Sequence, residues 1–226
     1  MKYNQFLISC ICFFTLLNNF AIALETDHDF QIWSSISLKK KFNSKMSSTL
    51  EFQERQNMTI SAMESFFTDL GVERKFLNTF ALSFNYRYSI KNDLEYYSSR
   101  HRLYADIKFK RKYDRLNFNL RQRFQMQVSN YNSSETGKYP DFASRTKFVF
   151  KYEPNGRYKP YAATEIFYSF GNNDENKNEF SRLRYETGID YDFNLIHSLN
   201  VFVMYQENIN ETTNDVISGI GYTYTF

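Results

Sequence analysis

From about residue 29 to the C-terminal Phe226, apolar and polar residues alternate with a period of two. A β-strand turns successive side chains to opposite faces, so this pattern builds sheets with one greasy and one wet side. It is cleanest over residues 80–90, where Phe80, Leu82, Phe84, Tyr86, Tyr88 and Ile90 oppose Ala81, Ser83, Asn85, Arg87 and Ser89. Eleven segments carry it, and no stretch of helical period competes with them. The chain is all-β.

Short turns are expected near residues 43–45, 76–78, 113–115, 154–156 and 194–195, and longer polar loops near 57–62, 91–99, 129–142, 171–179 and 208–214. Short turns at one end and longer loops at the other are the arrangement of a transmembrane β-barrel. Three further features favour that fold over a secreted β-sandwich or a lipocalin-like soluble binder. The longer segments reach the ~9–11 residues that a tilted strand needs to cross hydrocarbon, and Tyr and Phe gather near segment ends, as interfacial girdles require. The last strand, Ile220-Gly-Tyr222-Thr-Tyr224-Thr-Phe226, alternates and ends on Phe, so Tyr222, Tyr224 and Phe226 are read as an assembly signal for the barrel assembly machinery. Bacterial single-chain barrels have even strand numbers. The expectation is therefore an antiparallel up-and-down transmembrane β-barrel of ten or twelve strands, twelve preferred, with one of the eleven segments split, missed or outside the wall.

Lys2, the apolar run Phe6–Leu17 and the small residues Ala21 and Ala23 form a secretory signal peptide over 1–23, with cleavage after Ala23 and a barrel domain over 24–226. Cys10 and Cys12 fall inside the removed segment. The expected location is the bacterial outer membrane, in contact with its lipid. With 19% aromatic residues the chain is no disordered tail. A net charge of +3 gives no reason to expect nucleic acid.

On the polar faces basic residues outnumber acidic ones. Arg87, Arg102, Arg121, Arg123, Arg182 and Arg184, with Glu51, Glu186 and Asp190, are the candidate lumen-lining or selectivity residues. Two outcomes follow from such a lumen. Arginine–carboxylate pairs can fill it, leaving a plugged, structural barrel, or a narrow porin-like passage can remain that favours anions. Catalysis is not expected. His101 with Ser98 or Ser99 is the one pair suited to a lipid-modifying hydrolase or acyltransferase, and it would need Asp93 or Glu95 to orient the imidazole. Asp174, Glu175 and Glu179 lack EF-hand spacing, so neither a metal nor another cofactor is expected. The loops 91–99, 129–142 and 171–179 are an alternative seat of function, as surface interaction elements.

The segments Leu50-Glu-Phe-Gln-Glu-Arg-Gln, Arg100-His-Arg-Leu-Tyr-Ala-Asp, Arg182-Leu-Arg-Tyr-Glu-Thr-Gly-Ile-Asp-Tyr and Tyr205-Gln-Glu-Asn-Ile-Asn resemble an uncharacterised family of bacterial outer-membrane proteins, grouped as a domain of unknown function. The resemblance implies a fold and a location, and brings no catalytic residues with it.

Overall fold

The computed structural model describes residues 27–58, 62–92, 96–129, 140–154, 156–171, 178–209 and 212–226. The proposed signal peptide, both cysteines, Asp93, Glu95, Asp174, Glu175 and most of loops 129–142 and 171–179 lie outside them. Eleven strands close into one barrel. They are β1 (Asp27–Lys41), β2 (Met46–Asn57), β3 (Ala62–Lys75), β4 (Phe80–Asn92), β5 (Tyr97–Tyr113), β6 (Leu116–Ser129), β7 (Asp141–Tyr152), β8 (Tyr158–Phe170), β9 (Glu179–Asp192), β10 (His197–Asn208) and β11 (Thr213–Thr225).

The expectation of ten or twelve strands is overturned. Each marked segment is one strand, and the count stays odd because β1 and β11 pair in parallel, from Asp27↔Thr213 to Lys39↔Thr225. With eleven alternating strands the first and last run in the same direction, so only a parallel seam can close the cylinder. Odd closure has a precedent in the 19-stranded mitochondrial barrel. The start of β1 therefore lies at the end of the longer loops, whereas Phe226 leaves at the opposite end. There Lys41 N donates to the Phe226 carbonyl, and Phe226 N donates to the Lys39 carbonyl, each at 2.9 Å.

The short turns fall where alternation breaks. Phe42-Asn43 and Phe193-Asn194 open two turns of the same build. Asn43 Oδ1 accepts from the backbone N–H of Lys45 and Met46, and Asn194 Oδ1 from those of Ile196 and His197, all at 2.8 Å. A side-chain oxygen bonding its own turn is why Asn recurs at such positions. At the other end each of the five expected loops is shorter, because the flanking strands continue further than alternation marks them.

The faces are inverted relative to a soluble protein. In β5, Leu103 and Ile107 are 52% and 40% exposed, whereas Tyr104 and Asp106 are 7% and 2%. Phe84 on β4 is 68% exposed beside Ser83 at 2%. A soluble sandwich or lipocalin-like barrel buries its greasy face, so neither alternative describes this chain. The apolar side points outward around a single closed sheet, which is an outer-membrane-type barrel.

An arginine-lined lumen as candidate functional site

Alternation turns a column of polar residues inward from every strand, and at mid-height they surround a cavity of about 660 Å³. Ten basic and five acidic side chains line it, a surplus of five positive charges. Of the residues expected to line the lumen, all but Asp190 meet at this cavity. Asp190 lies with Lys110, Lys151 and Lys159 in a smaller cavity toward the short-turn end, paired with Lys151 and accepting from Asn200 Nδ2 at 2.7 Å. Just outside the strands at that end sits Glu153. Partial burial pushes its carboxyl up, but hydrogen bonding, chiefly from Lys112 Nζ at 3.1 Å, outweighs this and holds it below the ordinary value.

Carboxylates neutralise one group of arginines. Arg123 grips Asp106 through Nε and Nη2 at 2.7 and 2.9 Å, and both residues are buried. Arg145 makes the same two-pronged contact with Glu165, at 3.0 and 2.9 Å. Arg121 Nη2 adds a third donor to Glu165 at 2.5 Å. Arg87 Nε donates to Asp69 at 2.7 Å, and the Tyr104 hydroxyl shares that carboxylate. Among the acidic residues, Glu186 accepts from Lys147 Nζ and the Tyr161 hydroxyl, and Glu51 from Ser37 Oγ.

Aromatic rings on the lumen face form platforms under these cations. The Arg123 guanidinium lies 3.7 Å from the Tyr104 ring centre, Arg87 3.6 Å from Phe67, Arg145 4.2 Å from Phe167 and Arg55 3.8 Å from Trp33. Ring quadrupoles attract cations, the more so where water is excluded. Trp33, Phe202, Met204 and Ile217 pack together inside the seam and make one stretch of the lumen wall apolar.

One arginine of this set escapes the sequence reading. Arg145 stands two residues before Lys147 on the same face, so alternation alone would have found it. Arg55 falls on a polar face but gives no sign in sequence of its place on the Trp33 ring. The His101 reading is corrected by the sheet itself. Ser98 points into the lumen and is buried, whereas His101, three residues on, faces outward, where Nδ1 lies 2.7 Å from the Tyr86 hydroxyl and the ring meets Tyr88. Ser99 shares the outer face with His101, and the imidazole is engaged by tyrosines of the girdle. Tyr222, Tyr224 and Phe226 also face outward, with Tyr222 and Tyr224 flanking His197 at the short-turn rim. Among the described residues no group of three or more His, Cys, Asp or Glu is placed to hold a metal ion.

Residues 30–217 match a protein family described as "Protein of unknown function (DUF2490)". The chain belongs to that family. No curated protein matches the sequence. Among solved structures, a bacterial polysaccharide outer membrane secretin superposes with a TM-score of 0.50 at 7% identity, over 76% of this chain and 61% of that one. The DUF2490 chain thus spans about three fifths of that structure, and the likeness is one of fold. Two autotransporter domains are also similar. The beta domain of the Bordetella autotransporter BrkA gives 0.47 at 11% identity, over 74% of this chain and 79% of that one. The translocator domain of NalP from Neisseria meningitidis gives 0.48 at 10%, over 75% and 71%.

Proposed function

We propose that this DUF2490 protein is exported, is inserted in the outer membrane by the barrel assembly machinery, and lets small anionic solutes through its lumen. The observation that carries this reading is the surplus of five positive charges around one cavity inside an outward-apolar barrel. The apolar outer face supports lipid as the surrounding phase, since strands cross hydrocarbon only with their backbone bonds closed and their greasy side outward. A ring of fixed cations lowers the cost of bringing an anion through and raises it for a cation. We assign the barrel no enzymatic role.

The test is reconstitution of the purified protein in planar bilayers under a salt gradient. The expected result is discrete conductance with a reversal potential favouring anions, weakened in Arg102→Gln and Arg182→Gln. Folded protein that gives no conductance steps would replace passage by a plugged, structural barrel. The ion pairs Arg123–Asp106 and Arg145–Glu165 favour that second reading, because they occupy lumen volume with neutralised side chains.

A further inference from the structure

The lumenal arginines fall into two classes by what holds them. Arg87, Arg121, Arg123 and Arg145 end on carboxylates. For four others, the side-chain acceptors within hydrogen-bond reach among the described residues are neutral amide oxygens. Arg102 donates through Nε and Nη2 to Gln127 Oε1 at 3.0 and 2.5 Å. Arg182 Nε donates to Asn208 Oδ1 at 2.9 Å, and Arg184 Nε to Gln206 Oε1 at 2.7 Å. Arg55 Nη2 reaches Gln53 Oε1 at 3.4 Å. The nearest carboxylate oxygen of Glu165 is 3.9 Å from Arg184, and it already serves Arg145.

An amide partner fixes the direction of a guanidinium without cancelling its charge. For Arg182 and Arg184 that direction is enforced from behind. Asp215, an acceptor only, takes hydrogen bonds from the amide nitrogens of Gln206 and Asn208, so both amide oxygens must face the arginines. All four guanidinium groups line the same cavity. Among the described residues, the buried Nε atoms of Arg55 and Arg121 have no hydrogen-bond partner. Concentrated, oriented and hydrogen-bonded to no carboxylate among the described residues, these forks match the paired oxygens of carboxylates and phosphates. At about 660 Å³ the cavity has the volume of a small-molecule site.

We infer that Arg55, Arg102, Arg182 and Arg184 form a binding site for a compact polyanion, a small molecule bearing two or more carboxylate or phosphate groups. More than one anionic group is required because the cations come from β2, β5 and β9, on different parts of the wall. The site deepens the passage reading and rests on it only for the route by which the ligand reaches the lumen.

The experiment is calorimetric titration of the detergent-folded, full-length barrel at low ionic strength with citrate, pyrophosphate and, as a monoanion, acetate. Saturable binding of citrate or pyrophosphate is expected, at least tenfold tighter than acetate, and the tighter of the two identifies the ligand group. Arg102→Gln with Arg182→Gln should weaken it at least tenfold. Gln127→Glu with Asn208→Asp should do the same while keeping the fold, because each puts a carboxylate where the amide stands. Lys151→Gln, at the short-turn end, should bind as the parent does. Absence of saturable binding to folded parent protein, or unchanged binding in Gln127→Glu/Asn208→Asp, overturns the site. Anion-selective conductance without probe binding removes the site and leaves passage. Probe binding without anion-selective conductance does the reverse.

Discussion

Gln31 Nε2 donates to Asp215 Oδ1 at 2.9 Å across the parallel seam, joining residues 184 apart in the chain. Behind it, Gln31 Oε1 accepts from the Trp33 indole at 2.9 Å. Asp215 is thus the common acceptor for amides from β1 and β10. Asp215→Asn keeps the shape and replaces one acceptor oxygen by an NH₂ group, which must then face another amide nitrogen. One buried donor loses its partner, at a cost of about 1–3 kcal/mol. The midpoint of heat-dependent mobility of the folded barrel should fall accordingly, and an unchanged midpoint would remove Asp215 as the organiser of the seam.

The parallel seam also places the start of β1. His28 and Met58 lie at one end of the barrel and Leu195, 96% exposed in the turn before β10, at the other, and short turns on the periplasmic side, the rule for bacterial barrels, would put the first two outside. In intact cells a membrane-impermeant maleimide should label His28→Cys and Met58→Cys but not Leu195→Cys, and permeabilisation should expose all three. An even-stranded barrel would group His28 with Leu195 instead.

Gly219 sits where β11 passes under a ring of β10. A Cβ placed there would lie 2.1 Å from Phe202 Cζ, and Phe202 is itself held edge-on against Trp33, with ring centres 6.5 Å apart. Gly219→Ala should therefore strain the seam by about 1–3 kcal/mol. Adding Phe202→Leu should return most of that stability. Equal urea midpoints for Gly219→Ala and parent would show the ring to be free to move.

Alternation carries much of this fold on its surface. It marks each of the eleven strands and puts Arg87, Arg102 and Arg184 on one face and Phe84 and Leu103 on the other, because a two-residue period leaves no other assignment. Parity is not written in it. A generalisation from even-stranded barrels misled where the segments themselves were right, since nothing local in β1 or β11 distinguishes a parallel from an antiparallel neighbour. Charge state is hidden for a related reason. Whether an arginine ends on Asp106 or on Gln127 depends on strand register and side-chain reach across the lumen. The basic lumen is legible, but its division into carboxylate-held and amide-held arginines is not. The same applies to Ser98 and His101, whose nearness in sequence conceals opposite faces of the sheet.

The Arg123–Asp106 pair separates structural from functional charge. Both residues are buried, the contact is two-pronged, and Tyr104 backs the guanidinium. Two charges taken out of water attract strongly, but their desolvation offsets much of that gain, so the pair is worth little beside a well-packed apolar substitute. Removing one partner is different, because it strands the other charge. Asp106→Ala should destabilise the barrel by about 3–5 kcal/mol, whereas Asp106→Leu combined with Arg123→Met should remain within about 1.5 kcal/mol of the parent, as volume-conserving apolar changes do. Both are measured by urea unfolding in detergent or liposomes. Since the double variant deletes a neutral pair, it should leave anion preference in bilayers as it was. A shift toward cations would instead place Arg123 among the charges that solutes feel.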